Sequence, residues 1–373
     1  MKILVGGSLA LGGELKDNLA VVFDERIQAI VSASEIDEDA GDIIHYTGTL
    51  MPGFIDIHIH GAGGADTMDA SYEALATIAE TIVRSGTTSF LATTMTMEQK
   101  QIEKSLEAVR SFMEVQSSGA QCLGAHLEGP FINPAMKGAQ NERFIQPPTK
   151  DWIEPYLDSI KLITLAPEMD PDFTFIKELK DEVVLSIGHS RADYDTAVKS
   201  FKAGIKHVTH CFNAMTGLHH REPGIVGAAM TQPVSIDMIT DLVHVHPDLF
   251  KLFIEIKGRE GFIAITDAMR AAFLKEGEYD LGGQLVTVKD NACRLPDGTI
   301  AGSVHQMDRA LQNLKKYTDL NLAEISELMS ASPAKLLGIQ DKKGVIQEGL
   351  DADFVILNDN LEVTDTYVRG VKQ

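Results

Sequence analysis

Apolar and polar positions form two different patterns along the chain. The pattern with the longer repeat occupies the middle of the sequence. From about residue 51 to residue 338, short apolar runs typical of buried strands alternate with amphipathic stretches, which predicts βα units around a parallel sheet. Eight strand-like runs can be counted, at residues 54–60, 88–94, 121–128, 161–166, 183–189, 206–210, 234–240 and 262–267. Eight strands joined by right-handed crossovers predict an α/β fold with a closed (β/α)8 barrel of the TIM type.

The two ends of the chain have a pattern with a shorter repeat, which is typical of β-structure without helices. Residues 3–5, 20–23 and 27–32 are short β-like runs between glycine and acidic turns, and β-like sequence returns after Gly344. The simplest interpretation is that both termini pair in one small β-sandwich domain. We therefore predict a β domain of residues 1–50 and 344–373 beside a barrel domain of residues 51–343.

Composition restricts the partners and the compartment. The 373 residues are 44% hydrophobic and 23% charged, as in an ordinary globular protein, and their formal net charge is −21. This charge repels phosphate backbones and anionic lipids, so we expect neither nucleic acid nor a membrane surface as a partner. Three cysteines without C-x-x-C spacing indicate reduced thiols. With no apolar run of membrane-spanning length and no convincing cleavage site near the N-terminus, we expect a cytoplasmic protein.

Residues that can bind a metal ion or transfer a proton lie where the predicted strands end. Because side chains alternate along a strand, His58 and His60 share one face of the first strand. The other strand ends carry single polar residues, namely Glu128, His189, His210 and Asp267. In a barrel enzyme the carboxyl ends of the strands surround the active site, so these side chains are expected to converge on one rim.

The residue types at this rim indicate the chemistry. Taken singly, Glu128 could cap a helix, His189 could begin a turn and Asp267 could be a solvated acid. Several imidazoles with a carboxylate, however, suit zinc or ferrous iron better than calcium or magnesium. Such an ion lowers the pKa of a bound water and polarises a carbonyl, while Asp267 accepts the water's proton. The sequence therefore predicts a metal-dependent hydrolase.

These motifs resemble the amidohydrolase superfamily, and within it the family of N-acetylglucosamine-6-phosphate deacetylases, over nearly the whole chain. The resemblance rests on His58-Ile59-His60, on Glu128-Gly129-Pro130 and on Phe212-Asn213-Ala214-Met215, together with residues 188–190, 221–224, 266–268, 298–303 and 349–355. It implies that Glu128, His189 and His210 hold the principal divalent metal, zinc or iron. His58 and His60 would serve a second site, so one or two ions per subunit are implied.

The resemblance also implies a reaction and a substrate. The reaction is hydrolysis of N-acetyl-D-glucosamine 6-phosphate to D-glucosamine 6-phosphate and acetate by a metal-bound hydroxide, with Asp267 as general base and then acid. The implied substrate-binding positions are Ala139, Gln140, Asn213, Ala214, Arg221, His244, Ile300, Ala301 and Gly302. Arg221 and His244 match the positions that receive the 6-phosphate, and a homodimer that shares this phosphate site between subunits is implied.

Three departures from the family pattern and several alternatives remain open. Gln140 stands where many members have a histidine near the reacting carbonyl; its amide can donate a hydrogen bond but cannot carry a proton. Leu242 replaces a usual glycine, and residues 304–307 differ from the common apolar version. The alternatives are deacetylation of the C4 epimer, N-acetylgalactosamine 6-phosphate, a cyclic amidase or base deaminase, and a non-catalytic amidohydrolase-like binding protein. A non-catalytic relative would be expected to have lost ligands, whereas all of them are present.

Overall fold

Runs of apolar residues that face neighbours on both sides form the central strands. All six residues of Phe54–Ile59 and all four of Phe262–Ile265 are buried, as expected for a parallel sheet covered by helices. The computed structural model describes residues 1–37 and 41–373. In these residues, an eight-stranded parallel sheet stands beside a second eight-stranded sheet built from both termini.

The strands are, in chain order, β1 Lys2–Leu11, β2 Glu14–Lys16, β3 Leu19–Phe23, β4 Ile27–Ser32, β5 Asp42–Pro52, β6 Phe54–Ile59, β7 Gly61–Ala62, β8 Ala65–Asp66, β9 Thr87–Thr93, β10 Gln121–Glu128, β11 Ile160–Leu165, β12 Val184–Ile187, β13 His207–Val208, β14 Ser235–Ile239, β15 Phe262–Ile265, β16 Gly277–Leu281, β17 Gln284–Lys289, β18 Ala292–Arg294, β19 Ile300–Ser303, β20 Phe354–Leu357, β21 Val363–Val368 and β22 Val371–Lys372. The α-helices are α1 Tyr72–Ile82, α2 Gln99–Val115, α3 Thr174–Leu179, α4 Tyr194–Ala203, α5 Gly224–Thr231, α6 Asp248–Lys257, α7 Met307–Tyr317, α8 Leu322–Ser326 and α9 Ser332–Leu336, and a π-helical stretch, Glu327–Ala331, joins the last two. Within the described ranges, none of the helices has the length and apolar character needed to cross a bilayer.

The barrel strands follow one another around the sheet in chain order. Their order is β6, β9, β10, β11, β12, β13, β14 and β15, and all neighbouring pairs are parallel. The ring closes between β15 and β6, where the backbone N–H of Asp267 donates to the carbonyl of His58 at 2.9 Å and that of His60 donates to Ala268 at 2.8 Å. The predicted (β/α)8 barrel is therefore confirmed, with each of the eight predicted strands in place.

The terminal sheet joins the two ends of the chain. Its backbone order is β22, β21, β20, β5, β1, β3 and β4, with β2 paired to β1. The antiparallel pairing of β20 with β5 brings Phe354 opposite Pro52. Phe23, Phe354 and Tyr367 pack edge to face in a core that is separate from the barrel core. The predicted β-structure from both termini is thus confirmed, while the domain boundaries at residues 50 and 344 stay a prediction.

An antiparallel sheet that the sequence analysis did not predict interrupts the barrel pattern after β15. Strands β16 to β19 pair in sequence order between β15 and α7. The last strand returns to the barrel rim, because Ser303 accepts a hydrogen bond from the backbone of Met269 and donates one to the carbonyl of Asp267. The insertion thereby brings residues 299–302 beside the carboxyl ends of the barrel strands.

Candidate active site

The residues predicted from the strand ends all lie buried at one rim of the barrel. His58 is in β6 and His60 directly follows this strand, while Glu128 is the last residue of β10. The other three each lie two residues beyond a strand, namely His189 after β12, His210 after β13 and Asp267 after β15. All six are buried. The structure thus brings together every predicted metal ligand and the predicted base.

The chain leaves three of these strands through an unusual backbone conformation. His189, His210 and Asp267 have φ angles of 46°, 34° and 48°, in the left-handed region that non-glycine residues rarely adopt. Such residues are strained and persist only where surrounding contacts hold them. The sequence predicted that the strands would run on to these residues, whereas β12 and β13 end at Ile187 and Val208. The difference arises because each ligand is carried by a turn rather than by the strand.

The side chains form two groups that could hold a cation. In the first, His210 Nε2 is 3.0 Å and His189 Nε2 is 3.3 Å from Glu128 Oε1. In the second, His58 Nε2 and His60 Nε2 are 3.3 Å and 3.2 Å from Asp267 Oδ1. Within each group the ligand atoms all lie within 4.8 Å of one another. We call these the Glu128 triad and the Asp267 triad.

Glu128 lies between the two triads. Its Oε1 is also 3.5 Å from His58 Nε2, and its Oε2 is 3.3 Å from His60 Nε2. Both ring nitrogens of His58 and Nδ1 of His210 are buried without a hydrogen-bond partner, an arrangement that is costly unless another ligand satisfies such atoms. Four imidazoles converging on two carboxylates are a donor set that fits zinc or ferrous iron. The residues present therefore fit the divalent metal that the sequence predicts.

Electrostatics favour ionised carboxylates in this site. Burial alone raises the pKa of Glu128, but the charge of His58 and hydrogen bonds from His189 and His210 hold it well below its ordinary value. Burial likewise raises the pKa of Asp267, and His58 and His60 bring it below the usual range. Both carboxylates are thus in the form that binds a cation or accepts a proton.

The same two carboxylates raise the pKa of His60. Burial lowers the pKa of His60, but hydrogen bonds to Asp267 and Glu128 raise it well above its ordinary value. A metal ion must therefore displace a proton from this imidazole. His189 has a different restraint, because its Nδ1 is 2.8 Å from the carbonyl of Met136 and its Nε2 faces the triad. This contact assigns the hydrogen to Nδ1 and leaves Nε2 as the ligand atom.

A cavity of about 350 Å³ opens over the two triads. Five of the six residues described above line it, and so do seven of the predicted substrate-binding residues: Ala139, Gln140, Asn213, Ala214, His244, Ile300 and Gly302. Two predicted residues are not brought into this cavity. Ala301 is fully buried, and the exposed Arg221 has its Nη1 2.7 Å from His220 Nε2.

Gln140 and His244 are fixed by contacts that the sequence did not reveal. The Gln140 amide donates to Glu128 Oε2 at 2.9 Å and accepts from the backbone N–H of Thr96 at 2.7 Å. His244 Nδ1 is 2.7 Å from Asp241 Oδ2. Burial lowers the pKa of His244, but this carboxylate raises it above its ordinary value, while the pKa of Asp241 is lowered. Leu242 between them has a φ of 68°, which accounts for the glycine usual at this position.

The insertion of β16 to β19 contributes residues to the cavity that the sequence did not predict. Leu281 and Thr299, from β16 and from the loop before β19, line the cavity together with Met95 and Met136. The sequence does contain a pattern that indicates one hairpin of this insertion, because Gly282-Gly283 lies between the alternating runs of β16 and β17. In the structure both glycines have positive φ angles, of 59° and 81°. Two such glycines between strands are typical of a tight hairpin turn.

The barrel and its two imidazole–carboxylate triads define a metal-dependent hydrolase. The sequence profile of the Amidohydrolase family matches residues 49–372. The chain is 44% identical over 330 residues to an N-acetylglucosamine-6-phosphate deacetylase of Bacillus subtilis (strain 168), with 86% of this chain and 83% of that protein covered. It is 33% identical over 368 residues to an N-acetylgalactosamine-6-phosphate deacetylase of Escherichia coli O157:H7, with 96% and 95% covered.

The comparison of structures agrees with this class. The crystal structure of N-acetylglucosamine-6-phosphate deacetylase from Pasteurella multocida matches with a TM-score of 0.95 at 28% identity, and the match covers 100% of this chain and 99% of that chain. The chain therefore belongs to the amidohydrolase family, among the N-acetylglucosamine-6-phosphate deacetylases.

Proposed function

We propose that this protein hydrolyses the acetamide of N-acetyl-D-glucosamine 6-phosphate to D-glucosamine 6-phosphate and acetate. The observation that carries the proposal is the opening of both triads into one cavity of about 350 Å³. Small and polar residues form much of the remaining wall, and the His244 side chain, only 6% exposed, offers a cationic group to an anionic substrate. The similarity to a deacetylase of this specificity, at 44% identity, supports the same substrate here.

A divalent ion, zinc or iron, is part of the proposal. Glu128, His189 and His210 would hold one ion, and His58 and His60 with Asp267 would hold a second where two are bound. When bound, such an ion supplies Lewis-acid chemistry, because it lowers the pKa of a water and polarises the amide carbonyl. The position of Glu128 between the two triads, within 3.5 Å of His58 Nε2 and 3.0 Å of His210 Nε2, supports either stoichiometry.

Asp267 would move the proton in both halves of the reaction. Its lowered pKa keeps the carboxylate ionised, so it can take a proton from the water that attacks the carbonyl carbon. As the carbon–oxygen bond forms and the carbon–nitrogen bond breaks, Asp267 gives this proton to the departing amine. The Gln140 amide has two hydrogens, of which one is donated to Glu128, and the second can stabilise negative charge on the carbonyl oxygen.

The phosphate would be held by His244 and by Arg221 of a neighbouring subunit in a homodimer. The exposed position of Arg221, whose guanidinium contacts His220, supports a role for this residue outside its own cavity. Mixing two impaired homodimers tests the arrangement. We expect Asp267→Asn and Arg221→Ala to regain activity when their subunits exchange, because one hybrid site then combines an intact Asp267 with an intact Arg221. No gain despite verified exchange would refute sharing of the site.

The compartment is proposed as the cytoplasm, where thiols remain reduced. Cys122, Cys211 and Cys293 are free and buried, in agreement with such an environment.

Acetate release from three substrates tests the proposed specificity. We expect turnover of N-acetyl-D-glucosamine 6-phosphate to exceed that of unphosphorylated N-acetyl-D-glucosamine in kcat/KM by at least about 10-fold, since a charge-assisted hydrogen bond contributes about 1.5–3 kcal/mol. Equal turnover of these two would remove the proposed phosphate contacts. Faster turnover of N-acetyl-D-galactosamine 6-phosphate would favour the epimer specificity of the Escherichia coli relative.

A further inference from the structure

Below the triads, two neighbouring barrel strands carry a buried histidine–carboxylate pair that the proposed chemistry does not use. His207 in β13 and Asp237 in β14 are both 0% exposed. His207 Nε2 is 3.0 Å from Asp237 Oδ2, and its Nδ1 is 2.8 Å from Ser235 Oγ. Because an ionised carboxylate only accepts hydrogen bonds, Nε2 carries the hydrogen in this pair. Asp237 is thereby held in one orientation.

The second oxygen of Asp237 reaches the turn that carries a proposed metal ligand. Oδ1 accepts a hydrogen bond from the backbone N–H of His210, and the carbonyl of Asp237 accepts one from Cys211 at 2.9 Å. Two consecutive amides of this turn are therefore bound to a single residue. The φ of 34° at His210 is strained, so the turn needs external contacts to persist. This turn sets His210 Nε2 at 3.0 Å from Glu128 Oε1 and 3.1 Å from His189 Nε2.

A related contact occurs on another side of the barrel. Asp56 is 1% exposed, and its Oδ2 accepts from the hydroxyl of Thr266 at 2.6 Å. Thr266 directly precedes Asp267, another left-handed residue at a strand end. A buried aspartate of an adjacent strand thus contacts the turn at His210 and the residue before Asp267.

We propose that Asp237, held by His207, is a positioning residue that fixes His210 for metal binding. The inference rests on the proposed function, since it takes His210 as a metal ligand. Without the acceptor oxygen, the turn relaxes towards an ordinary φ and the imidazole nitrogen leaves the Glu128 triad. The required property is an oxygen at the Oδ1 position rather than a negative charge. Asparagine should therefore replace aspartate, with the hydrogen of His207 moved to Nδ1, which faces Ser235 Oγ, so that Nε2 accepts from the amide.

Zinc affinity of the metal-free protein tests the proposal without reference to activity. Competition with a chromogenic chelator measures the affinity of the wild type and of Asp237→Ala, Asp237→Asn and Asp170→Ala. Asp170 is a matched control, because it is 5% exposed and accepts from the backbone of Phe175 and Ile176 at 3.1 Å and 3.0 Å at the start of α3. We expect Asp237→Ala to bind zinc about 10–100-fold more weakly, the usual effect of losing a contact that orients a ligand. Asp237→Asn and Asp170→Ala should remain close to the wild type.

Each other outcome overturns the inference. Wild-type affinity in Asp237→Ala, or an equal loss in Asp237→Asn or in Asp170→Ala, would show that the oxygen of residue 237 does not orient His210. If Asp237→Ala does not fold, His207→Ala replaces it, and a loss of zinc affinity relative to Asp170→Ala is expected there too; wild-type affinity would overturn the inference. A wild-type protein that binds no zinc or iron would instead refute the proposed function, so the two failures are distinguishable.

Discussion

At the scale of single residues, Asp267 is the side chain on which the proposed proton transfers depend. We expect Asp267→Asn to lower kcat by about 10²–10⁴-fold, because an amide of the same shape cannot accept the proton of the water. Acetate release measures the effect, and metal analysis of the same sample is the control. The Glu128 triad is intact in this variant, so bound metal should remain. Unchanged acetate release would exclude Asp267 as the base, and the absence of metal from both proteins would favour the non-catalytic alternative.

His244 predicts a pH dependence of substrate binding. Its pKa is raised above the ordinary value of 6.5, so the imidazole is charged below that value and loses its charge as the pH rises through the raised pKa. KM for the phosphorylated substrate should therefore increase as the pH rises above 6.5, which KM measurements across this range would detect. In Asp241→Asn the increase should begin at a lower pH, because the carboxylate that raises the pKa is gone. A KM profile in His244→Gln that matches the wild type would contradict this role.

The sequence predicted the positions of these side chains better than the hydrogen bonds that hold them in place. The alternation in β6 and the strand-end positions of Glu128, His189 and His210 predicted a common rim, because the period of a strand and the geometry of a barrel are local and repetitive. The bond from Thr266 to Asp56 joins residues 210 positions apart, and no local pattern marks it. The roles of the site residues themselves stay predictions until the variants are measured.

At the scale of elements, the insertion of β16 to β19 braces the loop that carries Gln140. Gln284 of β17 donates a hydrogen bond from Nε2 to the carbonyl of Ala139. In the same loop, the backbone N–H of Gln140 donates to the carbonyl of Lys137. We expect Gln284→Ala to raise KM by about 2–10-fold, since a single hydrogen bond contributes about 0.5–1.5 kcal/mol. Substrate saturation curves measure it. Leu285→Ala, on a neighbouring residue that is 52% exposed, is the control and should leave KM unchanged. Equal KM values for both variants would contradict the bracing role.

The elements differ in how far the sequence predicted them, for physical reasons. The barrel strands were predictable because most of them, such as Phe54–Ile59 and Phe262–Ile265, are largely apolar and buried on both faces. The insertion has strands of mixed exposure, such as Gln284–Lys289 with alternating half-exposed, exposed and buried positions, and it falls between two barrel units. The left-handed turns at the ends of β12 and β13 were not predictable, because histidine adopts a positive φ in only a minority of cases and no local pattern marks these two.

At the scale of the whole molecule, a buried charge cluster lies where the chain enters the terminal sheet for the second time. Lys343 is 4% exposed, and its Nζ is 2.9 Å from Asp351 and 2.5 Å from Asp353. These residues precede β20, which pairs with β5 and so joins the two ends of the chain. The β-like sequence at both termini predicted this pairing as the simplest interpretation, because an unpaired edge strand exposes backbone groups that need partners.

Metal binding should also increase the stability of the whole molecule. A ligand that binds only the folded state stabilises it by about 2.7 kcal/mol at 100 times its dissociation constant, so chelation should lower Tm and zinc should restore it. Calcium is the control and should not restore Tm, because imidazole nitrogens suit zinc better. His60 adds a pH dependence: its raised pKa means that zinc displaces a proton, so the zinc-dependent rise in Tm should shrink as the pH falls. Melting curves of chelated and zinc-loaded protein at two pH values measure both effects. A Tm that does not change when metal analysis shows complete removal would mean that the buried carboxylates and imidazoles at the rim do not depend on a cation.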